Sequence, residues 1–221
     1  MRKILILLAL ISSSAFAADL KPYIEGQLGW SNLNDVDTKA TNLPISDAVT
    51  ASATAKIKYD NSVSGGFEIG ANHVGIENLR IGVSFNRMKF DMEKVKGSLA
   101  LSTSSASLET TGDITEAVRS LGVNLDNTVK LYMANAYYDI KNASAFTPFI
   151  GFGVGMADIK NAKDNEFAWS ASVGGKYNID KNMYLGLKGS YTSVNGITDK
   201  IGLEYKDMDA YSAHALLGYQ F

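Results

Sequence analysis

The chain has 221 residues, 46% of them hydrophobic and 20% charged, which suits a globular domain with a sizeable core and is too apolar for disorder. It has no cysteine and only two histidines, His73 and His214, so disulfides, thiolate metal sites, iron–sulfur clusters and a cysteine nucleophile are excluded, and a multi-histidine metal site nearly so. A net charge of −2 offers no basic surface for nucleic acid.

Met1-Arg2-Lys3 precedes an unbroken apolar run from Ile4 to Ile11, then three serines and Ala15-Phe16-Ala17. A charged start, a short apolar stretch and a small-x-small pair read as an export signal, with Ala15 and Ala17 as the small residues and cleavage after Ala17. The run is too short to cross a bilayer; an N-terminal anchor helix is the alternative. The expected division is a cleaved signal over 1–17 and a folded domain over 18–221. Removing Arg2 and Lys3 takes the net charge to −4.

Beyond the signal, no run of eighteen apolar residues exists, so no transmembrane helix is expected. Period-two alternation recurs instead, in segments of about ten residues, the length of a tilted membrane strand. Eight segments carry it: 22–31, 65–73, 78–87, 129–140, 147–158, 167–179, 183–192 and 210–221. In the first, Ile24, Leu28 and Trp30 share one face, while Glu25 and Gln27 share the other. In the third, Leu79, Ile81, Val83 and Phe85 oppose Arg80, Gly82, Ser84 and Asn86. In the fifth, Ile150, Phe152, Val154 and Met156 oppose Gly151, Gly153 and Gly155.

Alternation alone also fits a secreted sandwich. Three features select a membrane barrel. The connections alternate between long (32–64, 88–128) and short (74–77, 141–146, 180–182), with modest ones at 159–166 and 193–209, as surface loops and periplasmic turns do. Aromatic residues collect at the segment ends. Trp30, Phe67, Phe85, Trp169, Tyr191 and Tyr211 fall near the outer rim, and Tyr138, Tyr177, Tyr219 and Phe221 near the periplasmic rim. The polar faces are rich in Gly, Ser, Asn and charge, which suits a narrow lumen. The predicted fold is all-β: an eight-stranded antiparallel transmembrane up-and-down β-barrel with long extracellular loops. Closure removes every edge that lipid would not tolerate, and with no edge to hide the barrel is expected to be a monomer.

The segment Tyr211–Phe221, ending Gly218-Tyr219-Gln220-Phe221, resembles the terminal strand of bacterial outer-membrane proteins. The runs Ala134-Asn135-Ala136-Tyr137-Tyr138-Asp139-Ile140 and Thr147-Pro148-Phe149-Ile150-Gly151-Phe152-Gly153-Val154-Gly155 are similar to the small outer-membrane β-barrel family that includes opacity-type surface proteins. The resemblance implies an eight-stranded barrel in the outer membrane of a Gram-negative bacterium. It further implies that Leu217, Tyr219 and Phe221 form the signal read by the barrel assembly machinery. It implies no catalytic residue, and family members differ in role.

The inward faces carry Glu25, Glu68, Arg80, Asp139, Lys176, Lys188 and His214. They read either as an ion-paired plug or as the lining of a small gated pore; eight strands enclose just enough space for side chains, which favours the plug. Arg80 is expected to bridge Glu25 and Glu68. No serine stands in a recognisable motif with either histidine, so no enzyme and no cofactor is expected. Asp35-Val36-Asp37 and Asn61-Ser62-Val63-Ser64 fall in the first loop, where two carboxylates are poor evidence for calcium.

The two long loops hold about seventy residues, a length that is usually functional or disordered. Alternation at 49–59 and 95–102 predicts that the sheet continues outside the membrane as a protruding hairpin with an open edge; a disordered Ser/Thr/Ala-rich loop is the alternative. Asp113-Ile114-Thr115-Glu116 reads as a capping box, opening a short helix with Ile114, Ala117, Val118 and Leu121 on one face and Gly122 closing it. The expected role is surface interaction, adhesion or envelope integrity through the loops, with outer-membrane lipid around the barrel and a host or extracellular ligand at its tip. The alternative is a porin-like pore.

Overall fold

The computed structural model describes residues 20–46, 49–103, 106–120, 127–160, 162, 164–196 and 204–221. Ala15, Ala17 and the expected cleavage site lie outside the described residues.

Eight strands close a barrel: β1 (Lys21–Leu33), β4 (Ser62–Asn72), β5 (Leu79–Phe90), β8 (Asn127–Asp139), β9 (Phe146–Ile159), β10 (Glu166–Asn178), β11 (Met183–Val194) and β13 (Met208–Gln220). They are the eight alternating segments of the sequence. Each pairs antiparallel with its neighbours in order, and β13 returns onto β1 from Tyr23↔Gln220 to Leu33↔Ala210.

The alternation has the sense that a lipid solvent demands. On β1, Glu25 is 1% exposed and Leu28 66%. The charge is inside and the leucine outside, the inverse of a water-soluble sandwich. Phe167 and Tyr177, ten residues apart on β10, both face out. At a tilt near 40° that spacing spans about 25 Å along the membrane normal, the height of the apolar band of such barrels. The outer belt is contiguous in places: Trp169 and Tyr191 centroids lie 5.4 Å apart, Tyr191 and Tyr211 5.2 Å, and Phe85 and Tyr132 5.3 Å.

Tight connections over 73–78, 140–145 and 179–182 mark the end that is periplasmic in barrels of this kind. The first opens on His73 at φ 61° and continues through Gly75 at φ 68°, two left-handed residues that reverse the chain sharply.

At the opposite end the long connections are largely ordered. β2 (Val36–Ser46), β3 (Val49–Tyr59), β6 (Met92–Ser102), β7 (Ser107–Asp113) and β12 (Glu204–Tyr205) form an open sheet in the order β12-β2-β3-β6-β7. The β3–β6 ladder carries the β4–β5 wall outward past a short break, where the Asp60 amide donates to the Asp91 carbonyl at 3.0 Å. An eleven-residue strand such as β3 is about 36 Å long. The protruding hairpin expected from alternation is thus the centre of a larger sheet, and a disordered loop is not what these segments form. Asn61-Ser62-Val63-Ser64 is not loop, because Ser62–Ser64 open β4. Serine on the lumen side blurred the alternation there.

Asp113 Oδ1 accepts from the Thr115 amide at 3.2 Å and caps α1 (Thr115–Ser120). Leu121 and Gly122, expected to end the helix, lie outside the described residues. Ile114 is buried and packs under the sheet. The main hydrophobic core sits here, at the extracellular mouth. Val36, Ile57 and Val95 from the open sheet meet Met88, Leu131 and Met208 from the barrel interior.

Candidate functional site

The lumen is stacked in three storeys. The lowest holds the charges. Arg80, Glu25 and Glu68 are each buried to within 1% exposure. Arg80 Nη1 lies 3.5 Å from Glu25 Oε2 and 4.0 Å from Glu68 Oε1, and its Nε lies 3.7 Å from Asp139 Oδ1. The guanidinium therefore faces three carboxylates, one more than the sequence suggested. Its carbon also sits 4.1 Å from the Tyr137 ring centroid. Lys176 Nζ donates to Asp139 Oδ2 at 2.6 Å. Three acids, Glu25, Glu68 and Asp139, thus share two bases, Arg80 and Lys176, in one buried cluster.

Tyrosines complete it. Tyr137 donates to Glu68 at 2.8 Å, Tyr184 to Glu25 at 2.8 Å, and Tyr23 also donates to Glu68. Asn135 adds a donor to Glu68 at 2.7 Å. Buried carboxylates are costly unless each lone pair is satisfied, and neutral hydroxyls supply what one arginine cannot. Tyr137 and Tyr184 alternate with the outward residues of their strands, and a list of charges alone passes over them. Their bulk is accommodated by glycine. A Cβ on Gly218 would lie 2.0 Å from the Tyr184 ring, and one on Gly151 2.3 Å from Tyr137.

The middle storey is polar and loosely filled. Lys188 stands above the ion pairs and donates to Gln27 Oε1 at 2.7 Å. His214 Nε2 is 2.9 Å from Ser64 Oγ, which is linked in turn to Ser31 and, through it, Ser212. A serine therefore does meet a histidine, although no sequence motif joins residues so far apart in the chain. No carboxylate orients the ring: among the described residues His214 Nδ1 has no hydrogen-bond partner. An interior cavity of about 40 Å³ adjoins this storey, lined by Lys188, Asn135 and His214 and roofed by Met88, Leu131 and Met133. It has room for a few waters.

The upper storey is the apolar core at the mouth. Above it, the open sheet presents two unlike faces. Ile57 and Val95 pair on the side toward the barrel, whereas Lys56↔Lys96 and Lys58↔Lys94 pair on the other. Glu93 offsets Lys58 at 2.8 Å and Asp113 offsets Lys94 at 2.9 Å. Thr115 and Lys94 hold the Asp113 carboxyl down to about 2. At one edge, every described residue of β7 is exposed; at the other, β12 covers β2 only at Thr38 and Lys39. Asp37 pairs with Lys206 at 3.0 Å, and among the described residues no acidic or histidine cluster could hold a metal.

Leu217, Tyr219 and Phe221 project outward at the periplasmic end of β13, 51%, 41% and 70% exposed.

Known proteins resemble this chain in sequence or in fold. Outer membrane protein PagN of Salmonella typhimurium (strain LT2) is 33% identical over 110 residues, 42% of this chain and 45% of PagN, so the match spans less than half of that relative. Among solved structures, neisserial surface protein A superposes with a TM-score of 0.55 at 13% identity, over 90% of this chain and 97% of that one. OprG from Pseudomonas aeruginosa gives 0.52 at 12% identity, over 91% and 95%. At such identities the likeness is one of fold. The outer membrane protein beta-barrel domain matches residues 4–221, a span that includes every strand of the barrel and of the sheet above it, and the chain belongs to that family of outer-membrane proteins.

Proposed function

We propose that this protein works through its extracellular face, with the barrel as a rigid anchor and the open sheet as a surface for a host or extracellular partner. The observation that carries this reading is the contrast between a lumen crossed by packed and ion-paired side chains and a sheet left uncovered. An apolar core occupies one mouth and the Arg80 cluster the other, while β7 offers an exposed edge that can accept a strand. Adhesion is the specific role favoured. No catalytic role is assigned, since the Ser64–His214 pair is buried and its ring lacks an orienting carboxylate.

We propose two further roles for segments of this chain. Residues 1–17 act as an export signal cut after Ala17, and Leu217, Tyr219 and Phe221 as the signal for the barrel assembly machinery. The exposed apolar face of β13 supports the second.

The pore reading has two observations of its own, the polar middle storey with its cavity beside Lys188 and a polar cavity of about 110 Å³ at the periplasmic end, lined by Asp139, Lys176 and Gln220. Planar bilayers separate the two readings. The folded protein should give no discrete conductance, and cells displaying it should bind host-cell or matrix surfaces. Thr110→Lys, which places a charge on β7, should reduce that binding several-fold while leaving the barrel folded. Steady channels altered by Lys188→Ala, with binding untouched by Thr110→Lys, would make the protein a pore instead.

A further inference from the structure

The outward surface of the barrel carries a charged row at one level only a short step above the aromatic belt. Across four adjacent strands the register aligns Gly65↔Arg87, Arg87↔Lys130 and Lys130↔Asp158. The row below aligns Phe67↔Phe85, Phe85↔Tyr132 and Tyr132↔Met156, all projecting outward. The inward position of Met88 and Leu131 fixes Arg87 and Lys130 as outward-facing.

Two cations directly opposite each other on neighbouring strands are destabilising unless something offsets them. Lys130 is offset from one side by Asp158, Nζ to Oδ2 at 2.9 Å. Arg87 is exposed and has no ion-pair or hydrogen-bond partner among the described residues. Its other neighbour is Gly65, which contributes no side chain, so no β4 side chain stands directly opposite the guanidinium; Leu28 Cδ1 reaches the space a side chain at Gly65 would take, and Phe67 and Phe85 lie one row below.

Position decides what can pair with the guanidinium. Interfacial aromatic rings sit at headgroup level. Two residues along a tilted strand raise Arg87 about 5 Å above them, to where the outer leaflet carries its phosphates. We propose that Arg87 and Lys130 bind the phosphate monoester of an outer-leaflet glycolipid, with an acyl chain descending over Gly65 and Phe67. The planar guanidinium can donate two parallel hydrogen bonds to phosphate oxygens, Lys130 supplies a second positive charge, and the dianion removes the repulsion between them.

The test is native mass spectrometry of the folded protein in detergent, with three probes: diphosphorylated lipid A, the same lipid A stripped of phosphate, and phosphatidylglycerol. Diphosphorylated lipid A should be retained about tenfold or more over either other lipid. The double variant R87A/K130A should lose that preference, and K58A/K94A, on the external sheet, should keep it. Both pairs lie on exposed surface, and circular dichroism verifies each barrel. Equal retention of the stripped lipid, preference for phosphatidylglycerol, or an unchanged preference in R87A/K130A would overturn the assignment.

Discussion

The barrel and the sheet above it are built from the same alternation, used in opposite senses. Ile24 and Leu28 face out of the barrel, and Glu25 faces in. In the external sheet Ile57 and Val95 face in, toward the core, and Lys56 and Lys96 face out. Chain chemistry is alike in the two; the solvent differs. Lipid rewards an apolar exterior and forces every backbone group into a closed ladder, whereas water accepts lysines and tolerates an open edge such as β7. Each region buries what its surroundings reject. That is why one has a polar interior held by ion pairs and tyrosines, and the other an apolar interior shared with the barrel mouth.

Perturbations that act on one region only would sharpen this contrast. The largest effect is expected in the lumen. Arg80→Ala leaves Glu25, Glu68 and Asp139 facing one another without their shared cation. Removing one member of a buried ion cluster costs about 3–5 kcal/mol, so the urea midpoint of the folded barrel should fall markedly. An unchanged midpoint would mean that the tyrosine and asparagine donors alone hold the carboxylates.

Ile57→Ala should act on the sheet. Ile57 is fully buried between the sheet and the barrel mouth. A cavity of that kind costs roughly 2–5 kcal/mol, and the loss should appear as protease cutting within 36–59 and 92–113 while the membrane strands stay resistant. Collapse of the whole barrel together with the sheet would show the two to be a single cooperative unit.

The smallest effect is expected from acid. Asp113 is depressed to about 2 by Thr115 and Lys94, below the usual carboxylate value near 3.9. A depressed carboxyl contributes stability that is present above its unfolded pKa and lost as pH falls through the folded one. The junction of β7 with α1 should therefore loosen between about pH 4 and pH 2, seen as a fall in the amide protection factor at Thr115. A Thr115 protection factor that no longer changes with pH in Asp113→Asn would attribute the loosening to this group.

Period, face and connection length were enough to mark all eight barrel strands, because a lipid-facing strand writes its environment into every second residue. Where that contrast weakens, strands hide. Ser62–Ser64 reads as loop because serine lines the lumen there. β2 carries no clean alternation, and Pro44 and two register shifts break its pairing with β3. β12, two residues long, exists only through β2.

By itself, then, the sequence determined the barrel, its sense and the list of charges inside it, since periodicity is a local property that each strand carries alone. Only the tertiary structure decided which groups meet. Glu68 finds hydroxyls from Tyr23 and Tyr137 across 45 and 69 residues of chain, and Ser64 finds His214 across 150. Arg87 stands beside Lys130 because β5 happens to pair with β8 in that register. Register and shear are set by the closure of the whole barrel, and no single strand contains them.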